Sequence, residues 1–128
     1  MLSKIDQCLF CNKSKQKIIY SSNFMFVVKD SFPVTKQHTL IIPQRHVSNF
    51  FDLNANELDD LNKILKEQRK KLLKLDKNIT AFNIGVNAGV DAGQSIMHCH
   101  IHLIPRRKGD IENPRGGVRG VIPSKQKY

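Results

Sequence analysis

The sequence lacks any apolar run long enough to cross a membrane, and its start lacks the apolar stretch of a secretory signal. It has no internal repeat and no low-complexity segment, which excludes a solenoid or other repeat array. Cysteine is scarce, with only Cys8, Cys11 and Cys99, so a disulfide framework is excluded and thiols in a reducing compartment are expected. We therefore expect a soluble, cytoplasmic protein without a membrane partner.

Acidic residues are also scarce, with 11 Asp and Glu against 21 Lys and Arg, for a formal net charge of +10. This surplus raises the local concentration of anions such as nucleotides, and it allows nucleic acid as an alternative partner. Hydrophobic residues make up 40% and charged residues 25% of the chain, which is typical of a globular protein. The 128 residues suit one domain with a real core and are too few for two ordinary domains.

Hydrophobic patterning predicts short strands on both sides of one long helix. The predicted strands cover residues 18–20, 24–28, 38–43 and 79–86. The first two strands should form a hairpin. The helix should begin near Asn54, which forms a capping pair with Glu57. Leucines at helical spacing are expected to form one buried stripe, namely Leu58, Leu61, Leu65, Leu72 and Leu75.

The helix carries a row of lysines, and the chain ends in a basic segment. The lysines recur at helical spacing, at positions 63, 66, 70, 74 and 77. Such a row is typical of a solvated face, with a polyanion-binding surface as the alternative. We divide the chain into a domain over residues 1–108 and a basic tail with Gly and Pro over residues 109–128. In the tail, Val118, Val121 and Ile122 favour an ordered arm over a frayed terminus.

Three of the five histidines, His98, His100 and His102, occupy alternate positions in one apolar segment. In an extended strand they would share one face, with neighbouring imidazoles about 7 Å apart, while Cys99 and the apolar residues would face the core. Clustered histidines usually mark a metal or catalytic site and only occasionally serve packing. We therefore predict that this segment is the centre of the functional site.

A neutral imidazole such as that of His100 is a good nucleophile near pH 7. Attack on phosphorus gives a phosphoramidate bond, which is labile enough for water to complete the reaction. The segment Gly93-Gln94-Ser95, just before the histidines, can supply backbone N–H groups, an amide and a hydroxyl to phosphoryl oxygens. These residue types predict chemistry on a phosphate group.

A second set of residues has the composition of a metal site. Cys8 and Cys11 form a Cys-X-X-Cys pair, and with His46 and His98 they make a plausible closed Cys2His2 zinc site. A redox-active pair and two unligated buried thiols are the alternatives.

The segment from Gln94 to Ile104 resembles the signature of the histidine triad superfamily, in which three histidines alternate with apolar residues. The resemblance covers residues 5–108 and extends to other motifs in the family's order: Cys8-X-X-Cys11, Asp30, the strand from His38 to Pro43, His46, the helix, Asn87 and Gly93-Gln94-Ser95. It implies a zinc-bearing, prokaryotic-type member with an α+β fold. That fold has a five-stranded antiparallel sheet and one long helix, in a homodimer whose sheets join.

The resemblance also implies a role for each site residue. His100 would take a purine nucleoside monophosphate onto its imidazole, assisted by His102 and His38, which bind phosphate and orient the ring. Asp30 would bind the ribose hydroxyls, and residues 24–28 would form an apolar wall for the base. The remaining phosphate or leaving-group contacts would come from Asn87, Gly93, Gln94 and Ser95. The structural zinc would be held by Cys8, Cys11, His46 and His98.

Two leaving-group classes fit this chemistry, a dinucleoside polyphosphate such as diadenosine tetraphosphate and an amine, as in adenosine phosphoramidate. The positive charge favours the first class. The resemblance implies a nucleotidyl hydrolase or transferase with a covalent nucleotidyl-histidine intermediate. The alternative is a nucleotide- or nucleic-acid-binding module whose triad is vestigial. Two features depart from the family pattern, namely Lys36-Gln37 before His38 and the tail, whose Arg115 and Arg119 either reach a polyphosphate or are solvated.

Overall fold

The computed structural model describes residues 7–128, which form a five-stranded antiparallel sheet and one long helix, as predicted. The strands are β1 (Ile18–Ser21), β2 (Met25–Lys29), β3 (Thr39–Pro43), β4 (Ile79–Gly85) and β5 (Ile101–Arg107), and the helix α1 is Ala55–Leu75. The strand order is β1-β2-β3-β5-β4, and the predicted β1–β2 hairpin is confirmed. Residues 1–6, which the predicted domain over residues 1–108 includes, lie outside the described residues. Within the described chain, no helix is long and apolar enough to span a membrane.

The start of α1 follows the predicted capping pair. The side chain of Asn54 accepts a hydrogen bond from the backbone N–H of Glu57 at 2.9 Å, and the Glu57 carboxylate accepts one from the backbone N–H of Asn54 at 2.9 Å. Glu57 is buried, and it also pairs with Arg45 at 2.8 Å. The cap and the ion pair together offset the free-energy cost of removing this carboxylate from water.

The predicted leucine stripe of α1 is wrong at both ends. Leu58 is 40% exposed and Leu75 is 66% exposed. The buried face instead consists of Glu57, Leu61, Ile64, Gln68 and Leu72. The prediction counted only apolar residues, whereas the true face includes two polar positions, one of them the capped and ion-paired Glu57.

The two faces of the sheet are covered differently. On one face, Val27, Ile41 and Ile101 pack with Leu61 and Ile64 of α1. On the opposite face, a smaller cluster contains Phe10, Phe26, Val28, Leu40 and Ile42. Among the described residues, no long helix covers this second face, which carries an open cavity beside Phe10.

The tail after β5 folds back on itself in two short 3-10 helices, Gly117–Val121 and Pro123–Lys125. Arg119 holds its two ends together, with its guanidinium 4.7 Å from the ring centre of Tyr128 and one N–H donating to the Lys125 carbonyl at 3.0 Å. The tail therefore forms an ordered arm, as expected, although Val118, Val121 and Ile122 are more than half exposed and contribute little burial to it. The division at residue 108 stays a prediction.

Candidate active site

The three alternating histidines do not form one row on a strand. β5 begins at Ile101, so His102 lies in the strand, whereas His98 lies in a bend and His100 in the irregular segment between the two. The chain bends here because His98 turns inward, is completely buried and donates from Nε2 to the Pro43 carbonyl at 2.8 Å. The rings of His100 and His102 remain neighbours, with centroids 5.3 Å apart, which is closer than the predicted 7 Å. The expected single row is therefore wrong, and the histidines divide between two sites.

The hydrogen bond of His100 determines which of its ring nitrogens is available for chemistry. Nδ1 lies 2.8 Å from the backbone carbonyl of His98. A carbonyl oxygen only accepts hydrogen bonds, so Nδ1 carries the proton. In the neutral ring, Nε2 then holds an unshared electron pair and can act as a nucleophile.

A chain of hydrogen bonds likewise assigns the protons of His38 and His102. The backbone N–H of Val34 donates to His38 Nδ1 at 3.0 Å, so the His38 proton is on Nε2. That Nε2 lies 2.9 Å from His102 Nδ1 and donates to it. His102 consequently keeps its own proton on Nε2 and offers a single N–H donor to a ligand.

Burial keeps the imidazoles of His38 and His102 neutral. Burial lowers the pKa of His38, and the nearby Asp30 only partly offsets this effect. The pKa of His102 falls to about 4, chiefly through burial and then through His100 and His38. At pH 7 both imidazoles are therefore uncharged, as the assigned hydrogen bonds require.

The low pKa of His102 predicts a loss of stability in acid. His102 takes up a proton near pH 6.5 in the unfolded chain and only near pH 4 in the folded protein. Its contribution to the free energy of unfolding is therefore complete above pH 6.5 and is lost as the pH falls towards 4. The free energy of unfolding should decrease from pH 7 to pH 4 in both proteins, and the decrease should be about 2 kcal/mol smaller in His102→Gln than in the wild type. Urea denaturation at each pH measures it. Any acid release of metal is common to both proteins. Identical pH profiles would contradict the assignment.

A cavity of about 300 Å³ lies against His100 and His102 on the open face of the sheet. Its polar lining includes the predicted site residues Asp30, Asn87, Gly93, Ser95, His100 and His102, together with Lys15, Gln16, Lys29 and Ser31. The apolar part includes Leu9, Phe10, Val28 and Leu40. The structure thus brings together most of the predicted substrate-binding residues around one space, with apolar and polar ends.

Asp30 lies at the polar end of this cavity, next to the histidine chain. One carboxylate oxygen accepts from the backbone N–H of Phe32 at 2.8 Å, which fixes the orientation of the side chain. The other oxygen lies 3.4 Å from His38 Nε2 and 3.9 Å from His102 Nδ1. A carboxylate held in this way can accept hydrogen bonds from neighbouring hydroxyl groups.

The predicted phosphate contact through Gln94 is not supported by its position. Gln94 is buried, and its carbonyl accepts from the Gly89 N–H at 2.9 Å. Its amide group donates to the Ser48 carbonyl at 2.7 Å and to the Ile96 carbonyl at 3.1 Å. The side chain is committed to backbone groups, so Gln94 positions the loop that presents Gly93 and Ser95.

Leu9 and Phe10 were not predicted to contribute to the site. The expected apolar wall was residues 24–28, of which Val28 lines the cavity. Phe10 is buried, and its ring centroid lies 5.1 Å from that of His100. A sequence signal for both residues existed, because they lie between Cys8 and Cys11. A site that holds those cysteines also fixes the two residues between them.

The predicted metal ligands Cys8, Cys11, His46 and His98 come together beside this cavity, with their ligand atoms within 4.8 Å of one another. Cys11 Sγ lies 3.1 Å from His46 Nδ1 and 3.4 Å from His98 Nδ1, and Cys8 Sγ lies 3.4 Å from His98 Nδ1. Zinc bonds of about 2.3 Å to sulfur and about 2.0 Å to nitrogen place tetrahedral ligands roughly 3.5 Å apart. The donor set and its spacing therefore fit a zinc ion.

Two further observations agree with a metal at this position. The bond from His98 Nε2 to the Pro43 carbonyl leaves Nδ1 unprotonated and directed at the cysteines, an arrangement common in metal sites. Burial, with Cys8 adding to it, raises the pKa of the Cys11 thiol to about 11. A cation is needed to hold that sulfur as a thiolate at neutral pH.

Cys99 is buried in the core below α1, as predicted.

Residues 12–109 match the family model of the HIT domain, the domain that contains the histidine triad. The chain belongs to the HIT family. This agrees with the resemblance carried by the triad and the loop before it, whereas Cys8 and Cys11 lie just outside the matched residues.

Individual HIT proteins are similar to this chain over different lengths. It is 34% identical to an uncharacterized HIT-like protein of Methanocaldococcus jannaschii, over 89% of this chain and 91% of that protein. It is 36% identical to the asymmetrical bis(5'-nucleosyl)-tetraphosphatase of Schizosaccharomyces pombe, over 74% of this chain but only 52% of that protein. A zinc-bound histidine triad family protein from Mycobacterium smegmatis superposes with a TM-score of 0.76 at 26% identity, covering 85% of this chain and 81% of that one.

Proposed function

We propose that this HIT protein hydrolyses or transfers a nucleoside monophosphate that is joined to a leaving group through its phosphate. The observation that carries the proposal is the proton arrangement of the histidines. His100 presents an unprotonated Nε2, while His102 beside it presents an N–H. A nucleophile next to a hydrogen-bond donor, at the edge of a cavity with an apolar end, suits attack on the phosphate of a bound nucleotide.

In the first proposed step, the electron pair of His100 Nε2 forms a bond to phosphorus and the bond from phosphorus to the leaving group breaks. The departing atom takes the bonding electrons and acquires a proton from the site or from water. In the second step, water attacks phosphorus and loses a proton to solvent, while the P–N bond breaks and its electrons return to Nε2. The products are the free nucleoside monophosphate and a restored imidazole.

The surrounding residues would bind the substrate as the cavity arranges them. The N–H of His102 and the hydroxyl of Ser95 would donate to phosphoryl oxygens, with Asn87 and the backbone of Gly93 completing that end. Asp30 would accept from the ribose hydroxyls, and a purine would lie along the apolar end beside Phe10. Substrates of this kind are supported by the activity named for the Schizosaccharomyces pombe relative.

We further infer that zinc is the structural ion at the Cys8, Cys11, His46 and His98 site, as its donor set and the zinc-bound Mycobacterium smegmatis neighbour support. When bound there, zinc would stabilise the bend that carries His98 and hence the carbonyl that orients His100. We also propose a homodimer in which two sheets join. The sheet has β1 and β4 at its edges, and edge strands have unpaired backbone groups available for such pairing.

The covalent intermediate provides the direct test of this function. Wild-type protein is incubated with labelled diadenosine tetraphosphate or with labelled adenosine phosphoramidate, quenched with denaturant at neutral pH, digested and analysed by mass spectrometry. We expect an acid-labile nucleotidyl adduct on the peptide that contains His100. Turnover of neither substrate, together with polyanion binding that falls steeply with salt, would instead support a binding module with a vestigial triad.

A further inference from the structure

A second groove lies on the same face of the sheet, on the other side of His102 from the first cavity. It has a volume of about 510 Å³, within the usual range for small-molecule sites. His102 and Asn87 line both spaces, so the two meet where the phosphate chemistry is proposed to occur.

The floor of this second groove is formed by β4 and β5. Gly85 pairs with His102, and Asn83 pairs with Ile104. Directly paired residues of antiparallel strands point to the same face, so Asn83 and Ile104 continue the surface that carries His102. The floor is therefore continuous from His102 to the β4 edge of the sheet.

The wall of the groove is formed by the tail. Gly117, Val118, Gly120 and Val121 line it opposite the sheet. A side chain at Gly116, whose φ is +88°, would collide with the backbone carbonyl of Gln126, so glycine permits the tight fold that presents the two valines. Val118 is 59% exposed and Val121 is 73% exposed, so their apolar surface faces open space.

The charges of the groove exclude a polyphosphate chain as its main occupant. Of the described residues that line it, only Arg106 carries a permanent charge. Its guanidinium is committed to Asp110, at 2.9 and 2.8 Å, and to the Asn83 side-chain oxygen at 2.7 Å. The lining is otherwise apolar side chains with a few amides and imidazoles. Such a surface suits an uncharged planar group that has polar edges.

We propose that this groove is the leaving-group subsite and that it binds the second nucleobase of a dinucleoside polyphosphate. The inference rests on the proposed function and selects between its two leaving-group classes. One nucleoside would occupy the first cavity, the phosphates would pass His102 and Asn87, and the second base would lie between Val121 and the sheet. An amine leaving group as small as ammonia would leave the groove without a contact.

The test compares two substrates with two neighbouring variants of the full-length protein. Val121→Asp places a carboxylate inside the groove, and Val121 is exposed enough that folding is not threatened. Ile122→Asp adds the same charge one residue later, at a side chain that is 56% exposed and does not line the groove. We expect Val121→Asp to lower kcat/KM for diadenosine tetraphosphate at least tenfold and to leave adenosine phosphoramidate within twofold. Ile122→Asp should leave both substrates within twofold.

Other outcomes would contradict the proposed leaving-group subsite. An equal effect of Val121→Asp on both substrates, or an effect on neither, would show that the groove does not bind the leaving group. A change in the sedimentation behaviour of Val121→Asp, absent in Ile122→Asp, would show that a second copy of the chain covers the groove. A wild-type protein that hydrolyses neither substrate would overturn the proposed function and the subsite with it, whereas the variant outcomes concern the subsite alone.

Discussion

Replacement of His100 with alanine should reduce kcat for both diadenosine tetraphosphate and adenosine phosphoramidate by about 10³-fold or more, because the proposed reaction has no other nucleophile. The effect should fall on the chemical step and not on binding, since the apolar cavity and Asp30 remain. Single-turnover kinetics with the two labelled substrates would measure it, and the nucleotidyl adduct should be absent. Such a loss is larger than any expected from the groove or from the acid titration of His102.

A second substitution separates nucleophilicity from positioning. His100→Asn retains a side-chain N–H that can reach the His98 carbonyl, but it has no ring nitrogen to attack phosphorus. We expect His100→Asn to be as inactive as His100→Ala. Wild-type turnover in the alanine variant, or substantial recovery in the asparagine variant, would show that His100 is not the nucleophile.

Loss of the metal site should be the largest stability effect. We expect protein purified without added zinc to contain about one zinc per chain, and Cys8→Ser to abolish most of it, measured by elemental analysis. Unfolding free energy should fall by about 3 kcal/mol or more, because four ligands from three separate segments of the chain lose their common partner. Activity should fall as well, since the backbone of His98 orients His100.

The third cysteine supplies the matched control for this experiment. Cys99 is buried in the core on the opposite side of the sheet, away from the ligand group. Cys99→Ala should keep one zinc per chain, with a loss of about 1 kcal/mol from the lost core packing. Wild-type protein without metal, with Cys8→Ser as stable as the wild type, would eliminate the zinc proposal.

The fold was predictable where its signals are local. The capping pair of Asn54 and Glu57 spans four consecutive residues, so this short stretch of sequence already specifies where α1 begins. The strands were found because apolar runs of the right length end at turn residues. The leucine stripe failed because burial of Glu57 depends on Arg45, and no helical periodicity contains that partner.

The site was predictable in its residue types and less so in their arrangement. Alternation placed His98, His100 and His102 together, but the bend before Ile101 is imposed by the distant Pro43 carbonyl. Gln94 looked like a phosphate contact from its position beside Ser95. Its actual partners are backbone groups that the sequence cannot locate, one of them 46 residues away at Ser48.

By itself, the sequence determined the chemical groups: three alternating histidines, a Cys-X-X-Cys pair and a Gly-Gln-Ser loop. These depend on spacing over a few residues, which covalent geometry transmits directly. Only the tertiary structure decided which ring nitrogen carries the proton in His38, His98, His100 and His102. The chain of bonds from Val34 through His38 to His102 joins residues far apart in sequence, and folding alone brings them within hydrogen-bond distance. For the same reason, the groove beneath Val121 exists only once the tail has returned to β4.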